Sequence, residues 1–237
     1  MTVEELRRGT RRPLEPLIDL RAGALTAELV GIELRHLRGD GVELVRGIYA
    51  AVRDEAWGTV ANEVTEKESE IGADAFLVRF AVRCERPPIV FSWSGEISGS
   101  SAGEITYAMR GSSGAAFRYC RIGLNVLHPP AFAGSAFEAR GGSEDDAGAL
   151  PHLIEPVRIE DGVFIPLVRA YDEIAFELDG GRLELVFEGD LFEMEDQRNW
   201  TDGSFKTYST PAALGNPLEC AAGQRFAQRV TVRVVPS

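Results

Sequence analysis

Phe76-Leu77-Val78-Arg79-Phe80-Ala81-Val82-Arg83 puts a bulky apolar side chain on every second residue. A period of two is the mark of a strand with one face buried and the other in water. Ile89, Phe91 and Trp93 repeat it against Val90, Ser92 and Ser94, as do Ile105, Tyr107 and Met109. Near the C-terminus Val230, Val232 and Val234 alternate with Thr231 and Arg233. Between such runs stand Gly39-Asp40-Gly41, Gly141-Gly142 and Asp179-Gly180-Gly181, residues that turn a chain. Helical patterning is confined to a short turn near Glu4–Arg8 and a few residues around Leu150–Ile154. Roughly a dozen or more short strands are expected, more than an immunoglobulin-type sandwich uses. The expected fold is all-β: a large two-sheet antiparallel sandwich, one domain over residues 1–237, with Gly141–Gly148 as an exposed loop tip.

Among 237 residues, 44% are hydrophobic and 26% charged, as a soluble protein with a sizeable core requires. The formal charge of −12 repels phosphate backbones, so nucleic acid is not an expected partner. No stretch approaches the roughly 20 apolar residues that cross a bilayer, and the N-terminus lacks a signal-peptide core. A cytoplasmic location without membrane partners is expected. Cys84, Cys120 and Cys220 are widely spaced and odd in number, which suits reduced core thiols.

The chemistry concentrates in Glu188-Gly189-Asp190-Leu191-Phe192-Glu193-Met194-Glu195-Asp196-Gln197-Arg198-Asn199-Trp200-Thr201-Asp202, with six carboxylates in fifteen residues. Leu183, Leu185 and Phe187 are apolar at odd positions, whereas Phe192 and Met194 are apolar at even ones. A β-bulge at Gly189-Asp190 would produce that change of face, and bulges re-aim side chains beside active sites. Beyond it, Glu193 and Glu195 share one face, roughly 7 Å apart. Each raises the other's pKa unless Arg198 or Lys206 supplies a cation. Gln197, Arg198, Asn199 and Asp202 offer donors and acceptors, and Trp200 a flat apolar surface, which together suit a hydroxyl-rich ligand. The alternatives are a solvated strand face and a Trp that merely anchors the core.

His128 ends the run Ile122–Leu127 just before Pro129-Pro130, where a side chain can leave the sheet; it is the candidate general acid. Arg53-Asp54 closes another strand-like run, and Arg53 would grip a ligand carboxylate or hydroxyl pair, or else pair structurally with Asp54 and Glu193. Arg118 and Arg121 flank Cys120 in a strand that looks buried, so acidic partners are expected for them; the acidic segment is the obvious source, and an internal ion network competes with a ligand site. The carboxylates are oxygen ligands suited to calcium or magnesium, but their spacing matches no EF-hand and no His pair supports zinc. No metal and no cofactor is expected.

The run Phe187–Asp202, continued by Ser204-Phe205-Lys206-Thr207-Tyr208, resembles the N-terminal β-sandwich region of D-apionate lactonase-like proteins. So do Arg46-Gly47-Ile48-Tyr49, Arg53-Asp54, Trp57-Gly58-Thr59, Arg121-Ile122-Gly123 and Leu127-His128-Pro129. The barrel and the further β domain of those proteins have no counterpart in these 237 residues. The resemblance implies a carbohydrate or sugar-acid context. By analogy of fold alone, the galactose-mutarotase supersandwich pairs a His acid with a Glu base on a broad concave sheet.

The leading expectation is an epimerase- or lactonase-like enzyme acting on a monosaccharide, sugar acid or lactone. Its base would be Glu193 or Glu195 and its acid His128. Arg53, Asp54, Gln197, Arg198, Asn199, Trp200, Asp202 and Lys206 would bind the substrate. A non-catalytic module that binds a sugar or a partner chain is the alternative, and a fold co-opted for another conversion such as a biosynthetic cyclisation is a third. A homo-oligomer or a partner subunit is compatible with each.

Overall fold

Alternation in the sequence becomes alternation in space: Phe76, Val78, Phe80 and Val82 are each at most 4% exposed, while Arg79 and Arg83 between them reach solvent. The structure, a computed structural model, describes residues 2–3, 6, 15–142 and 145–236. Its first nine strands are β1 (Leu17–Ala22), β2 (Leu25–Val30), β3 (Glu33–Gly39), β4 (Val42–Asp54), β5 (Glu63–Ile71), β6 (Phe76–Arg86), β7 (Ile89–Ser100), β8 (Glu104–Ser113) and β9 (Phe117–His128). Then come β10 (Ala136–Arg140), β11 (Asp146–Ala149), β12 (Arg158–Glu160), β13 (Val163–Ile165), β14 (Val168–Tyr171) and β15 (Glu173–Leu178). The remainder are β16 (Gly181–Glu188), β17 (Phe192–Glu195), β18 (Phe205–Tyr208), β19 (Leu218–Cys220) and β20 (Arg225–Pro236).

These form two nine-stranded sheets and a small β12–β13 hairpin. The first sheet runs β1-β2-β3-β4-β9-β18-β17-β14, with β19 also on β9; the second runs β11-β10-β15-β16-β20-β8-β7-β6-β5. Every pairing is antiparallel, and the expected two-sheet sandwich is what the chain builds. One continuous apolar core lies between the sheets and draws on both. Tyr107 sits wholly inside it, its hydroxyl satisfied by the Ile32 carbonyl at 2.8 Å. Cys84, Cys120 and Cys220 are buried free thiols.

Turn chemistry acts where expected at Gly39-Asp40-Gly41: Gly39 pairs with Val42, and Asp40 and Gly41 both take positive φ, as a two-residue hairpin of primed type demands. Three local expectations are corrected. Leu150–Ile154 is irregular, because its backbone bonds to the turn at Gly134 and Ser135 instead of to itself. Within Gly141–Gly148, residues from Asp146 onward form β11 against β10. The Glu4–Arg8 turn lies largely outside the described residues.

The third correction bears on function. The apolar set does change parity between Phe187 and Phe192, but no bulge does it. β16 belongs to the second sheet and β17 to the first, so the chain crosses the sandwich at Gly189. Phe187 and Phe192 point at one core from opposite sides, with ring centroids 4.4 Å apart. Gly189 has φ +90°, and a Cβ there would lie 1.8 Å from the Ala227 carbonyl oxygen, so only glycine fits this corner.

Candidate functional site

Four neighbouring strands align one face of the first sheet. Tyr49 pairs with Asn125 and Arg53 with Arg121 across β4 and β9. Tyr208 also pairs with Asn125, from β18. Glu193 and Glu195 of β17 face Tyr208 and Lys206. Strict alternation puts Tyr49, Arg53, Arg121, Asn125, Lys206, Tyr208, Glu193 and Glu195 on the face turned away from the second sheet. Their alternates, Ile48, Val52, Ile122, Val126, Phe205, Phe192 and Met194, fill the core.

This outer face is nevertheless closed. Glu193 is 2% exposed, Tyr208 1%, Arg121 7% and Lys206 7%. Lys206 Nζ sits 2.7 Å from Glu195 Oε1 and donates to Gln197 Oε1 at 2.8 Å. Burial pulls the Lys206 ammonium below its ordinary pKa, and Glu195 opposes that shift. Glu193 Oε2 accepts from the Ala212 amide at 2.7 Å and from the Tyr208 hydroxyl at 3.2 Å. Burial still pushes the Glu193 carboxyl up, with those two bonds and Arg121 pulling against it.

Arg121 is held differently. Its guanidinium lies 3.9 Å over the Tyr208 ring and 5.4 Å from the Trp57 ring, a cation between two aromatic faces. The turn that presents Trp57 is fastened by Asp54, whose carboxylate accepts from the Ala56 and Gly58 amides at 3.0 and 2.7 Å and pairs with Arg86. Those contacts hold the Asp54 carboxyl below its ordinary pKa against the effect of desolvation. Trp57 has φ +65°, which costs a non-glycine residue roughly 1–2 kcal/mol. Arg53 donates to the Trp57 carbonyl at 3.3 Å and to the Thr59 hydroxyl.

The sequence-predicted residues therefore divide. Glu193, Glu195, Lys206 and Arg53 share the outer face, and Gln197 reaches it through Lys206. Asp54 builds the adjoining turn. Arg198 is committed to structure: Nε and Nη2 bind both Asp196 carboxylate oxygens at 2.7 and 2.8 Å. Its other contacts go to the carbonyls of Pro151, His152 and Leu153, and the guanidinium lies over Phe205 at 4.3 Å. Asn199 bonds the Asp196 carbonyl and Asp202 accepts from the Ser204 hydroxyl. Trp200 is no core anchor, being 58% exposed at the rim.

His128 is the clear correction. It faces the core, fully buried, with Nε2 2.6 Å from Thr207 Oγ1 and its ring against Phe176 and Phe132. Burial pushes its pKa down to about 3, which disfavours the imidazolium that a general acid needs near neutrality. Sequence reasoning also passed over Arg121, Tyr208, Asn125 and Trp57 as site residues. The parity that linked Glu193 to Glu195 links Arg121 to Asn125 and Lys206 to Tyr208. What periodicity does not contain is that β18 lies beside β9.

Beside Glu195 a cavity of about 20 Å³ is lined by Glu155, Phe164, Asp196, Asn199 and Trp200, room for little more than a water. A larger hollow of about 500 Å³ lies on the second sheet between Glu66, Arg79, Ser94, Glu96, Arg110 and Arg229. None of the sequence-predicted site residues lines it. Its walls are solvated strands, and convergence of buried titratable groups makes the first sheet the better candidate.

Comparison with known proteins agrees with this architecture. The D-apionate lactonase of Brucella anthropi is 34% identical over 230 residues, 95% of this chain and 36% of that protein. The chain thus spans about a third of the length of that relative. Galactose 1-epimerase from Lactobacillus acidophilus superposes with a TM-score of 0.59 at 7% identity, covering 96% of this chain and 97% of that one. A putative aldose 1-epimerase from Escherichia coli K12 gives 0.58 at 11% identity, covering 94% and 99%. A GH36 α-galactosidase from Geobacillus stearothermophilus gives 0.53 at 13% identity, covering 96% of this chain and 41% of its own. At such identities these structures establish the sandwich fold alone. The family model described as D-apionate lactonase, N-terminal domain, matches residues 5–237, and the chain belongs to that family.

Proposed function

We propose that this chain is the sugar-facing sandwich of a lactone-hydrolysing carbohydrate enzyme, with its site on the outer face of the first sheet. The observation that carries the reading is convergence: neighbouring strands deliver two carboxylates, an ammonium, a guanidinium and a phenol to one buried patch. Opening a lactone requires a base for water, positive charge for the carbonyl oxygen and a proton for the departing ring oxygen. Glu195 is the base, and Lys206 and Arg121 stabilise the oxyanion. As water's oxygen bonds to the carbonyl carbon, its proton passes to Glu195. The carbon–ring-oxygen bond then breaks and the ring oxygen takes back the proton that Glu195 accepted from water. Substrate enters by displacing the rim at Trp200 and the segment around Glu155, which now close over Glu195.

One observation favours a second reading. Both carboxylates already have partners, and the relative named a lactonase is far longer than this chain. On that reading the face only holds the sugar, and other parts of a longer protein do the chemistry. Acid release from aldonolactones, followed in a pH-stat, separates the two. The hydrolytic reading expects turnover that falls about 10²-fold or more in Glu195→Gln with the melting temperature kept. Turnover indifferent to that change sinks the role of Glu195, and saturable binding without turnover selects the second reading.

A further inference from the structure

One cation on this face is unanswered. Arg121 is 7% exposed and its Nε is buried without a partner. Among the described residues no hydrogen bond engages its guanidinium, and no carboxylate oxygen comes within 4.0 Å. The acid whose charge acts on it most strongly, Glu195, is already taken by Lys206. A buried charge left this way is strongly disfavoured unless something else completes it. Arg118, for which acidic partners were also expected, has them outside the acidic segment, in Glu55 and Glu219.

The surroundings indicate what completes it. Tyr208 and Trp57 lie 3.9 and 5.4 Å from the guanidinium carbon and offer it no acceptor oxygen, so a further partner must meet its N–H groups. Those groups match the two oxygens of a carboxylate. Directly across the β4–β9 ladder stands Arg53, whose charge acts against that of Arg121. Like charges opposed on one sheet face repel, and an anion seated between them reverses that repulsion. Arg121, Arg53 and Lys206 against Glu193 and Glu195 leave the patch a formal net +1 in a chain of net −12.

We infer that Arg121, with Arg53 opposite, receives the carboxylate of an open-chain sugar acid. Hydroxyl groups of that ligand then meet Glu195, Lys206 and Tyr208. The inference rests on the preceding reading for the location of the site. It goes further in naming the ring-opened acid, not a neutral sugar or lactone, as the species held best.

The test compares sodium gluconate with glucitol, which replaces the carboxylate by a neutral alcohol on the same chain, against a sodium chloride control. Melting of the full chain is followed for the wild type, Arg121→Met and Arg121→Lys. Gluconate should raise the wild-type midpoint by about 3–6 °C at ten times its Kd, and glucitol should not. Arg121→Met should abolish the shift while melting no lower than the wild type. Arg121→Lys keeps the charge but not the fork, and should retain only a weak response. Equal shifts from gluconate and glucitol, a gluconate shift that survives both variants, or no gluconate shift at all would each overturn the inference. Lactone turnover sensitive to Glu195→Gln but with no gluconate response removes this inference and leaves the preceding one. A gluconate response through Arg121 without turnover does the reverse.

Discussion

Arg121, buried, and Arg198, half-buried, both stand beside the same acidic segment, and their circumstances are opposite. Arg198 gives two donors to Asp196 and others to three carbonyls, and thereby ties the 197–200 turn to the loop at Pro151–Leu153. Among the described residues Arg121 meets two aromatic rings and no acceptor. The segment that looked like one functional cluster is thus two devices. One is a rivet at the corner; the other is a closed face holding a guanidinium that no acceptor meets among the described residues. A charge whose hydrogen bonds all close internally stabilises a fold, whereas one left unanswered is kept for something outside it.

The sharpest way to break this contrast is to delete each cation. Arg198→Met strands the Asp196 carboxylate, 7% exposed, and should cost about 3–5 kcal/mol in urea unfolding. Arg121→Met removes a charge that nothing answers and fills its place with an apolar chain, so its stability should match or exceed that of the wild type. Similar losses in both variants would mean that Arg121 has a structural partner, and the distinction would collapse.

A second contrast lies between the two faces of β9. His128 belongs to the core face, among Thr207, Phe132 and Phe176, with Tyr171 bonded to the same Thr207 hydroxyl at 2.7 Å. No charged group is among these neighbours to compensate a proton on the ring. Its folded pKa is pushed down from 6.5 to about 3. The unfolded chain takes up this proton as pH falls through 6.5, and the folded chain refuses it until about 3. Stability is therefore full above 6.5 and declines across that window by about 1.4 kcal/mol per pH unit from this group alone. His128→Leu should flatten the acid limb by one proton in urea melts. An unchanged slope would place the ring in contact with water and revive it as an acid.

A smaller effect probes how the aromatic clamp is held. Asp54→Ala removes the acceptor for the Ala56 and Gly58 amides and releases Arg86. It should lower the urea midpoint only slightly and loosen Trp57, which is read as a red shift of indole fluorescence. Loss of stability with no spectral change would show that Trp57 is positioned by its contact with Arg121 instead.

Much of this was legible in the residues, and what was not has definite causes. Alternating runs such as Phe76–Val82 identify strands because burial on one face imposes a period of two. The parity change after Phe187 was legible too, but a bulge and a sheet crossing produce the same pattern, since both sheets of a sandwich face one core. His128 was readable as a core residue: it continues the series Ile122, Leu124, Val126, and its position before Pro129 drew attention from that parity. Arg121 required knowing that β18 pairs with β9, some eighty residues apart in the chain. No local period encodes that pairing, so the most informative side chain on the face was the one the sequence left among the structural ion pairs.

The finest test falls on Glu193, which sits between the two devices. Its carboxylate has two donors, as a rivet would, yet burial outweighs them and raises its pKa. A carboxyl with a raised folded pKa contributes stability that is present below the unfolded value of 4.5 and lost as pH rises through the folded one. At neutral pH the ionised form is thus less favourable than a neutral isostere. Glu193→Gln keeps an oxygen to accept from Ala212 and Tyr208 and removes only the charge. Its stability near neutral pH should equal or exceed that of the wild type by less than about 1 kcal/mol, and the difference should vanish as the pH falls below the unfolded value of 4.5. A clear loss at neutral pH would show the charge itself fastening the 212–214 turn. Glu193 would then join Asp196 among the rivets, and Glu195 would remain as the face's only carboxylate available for chemistry.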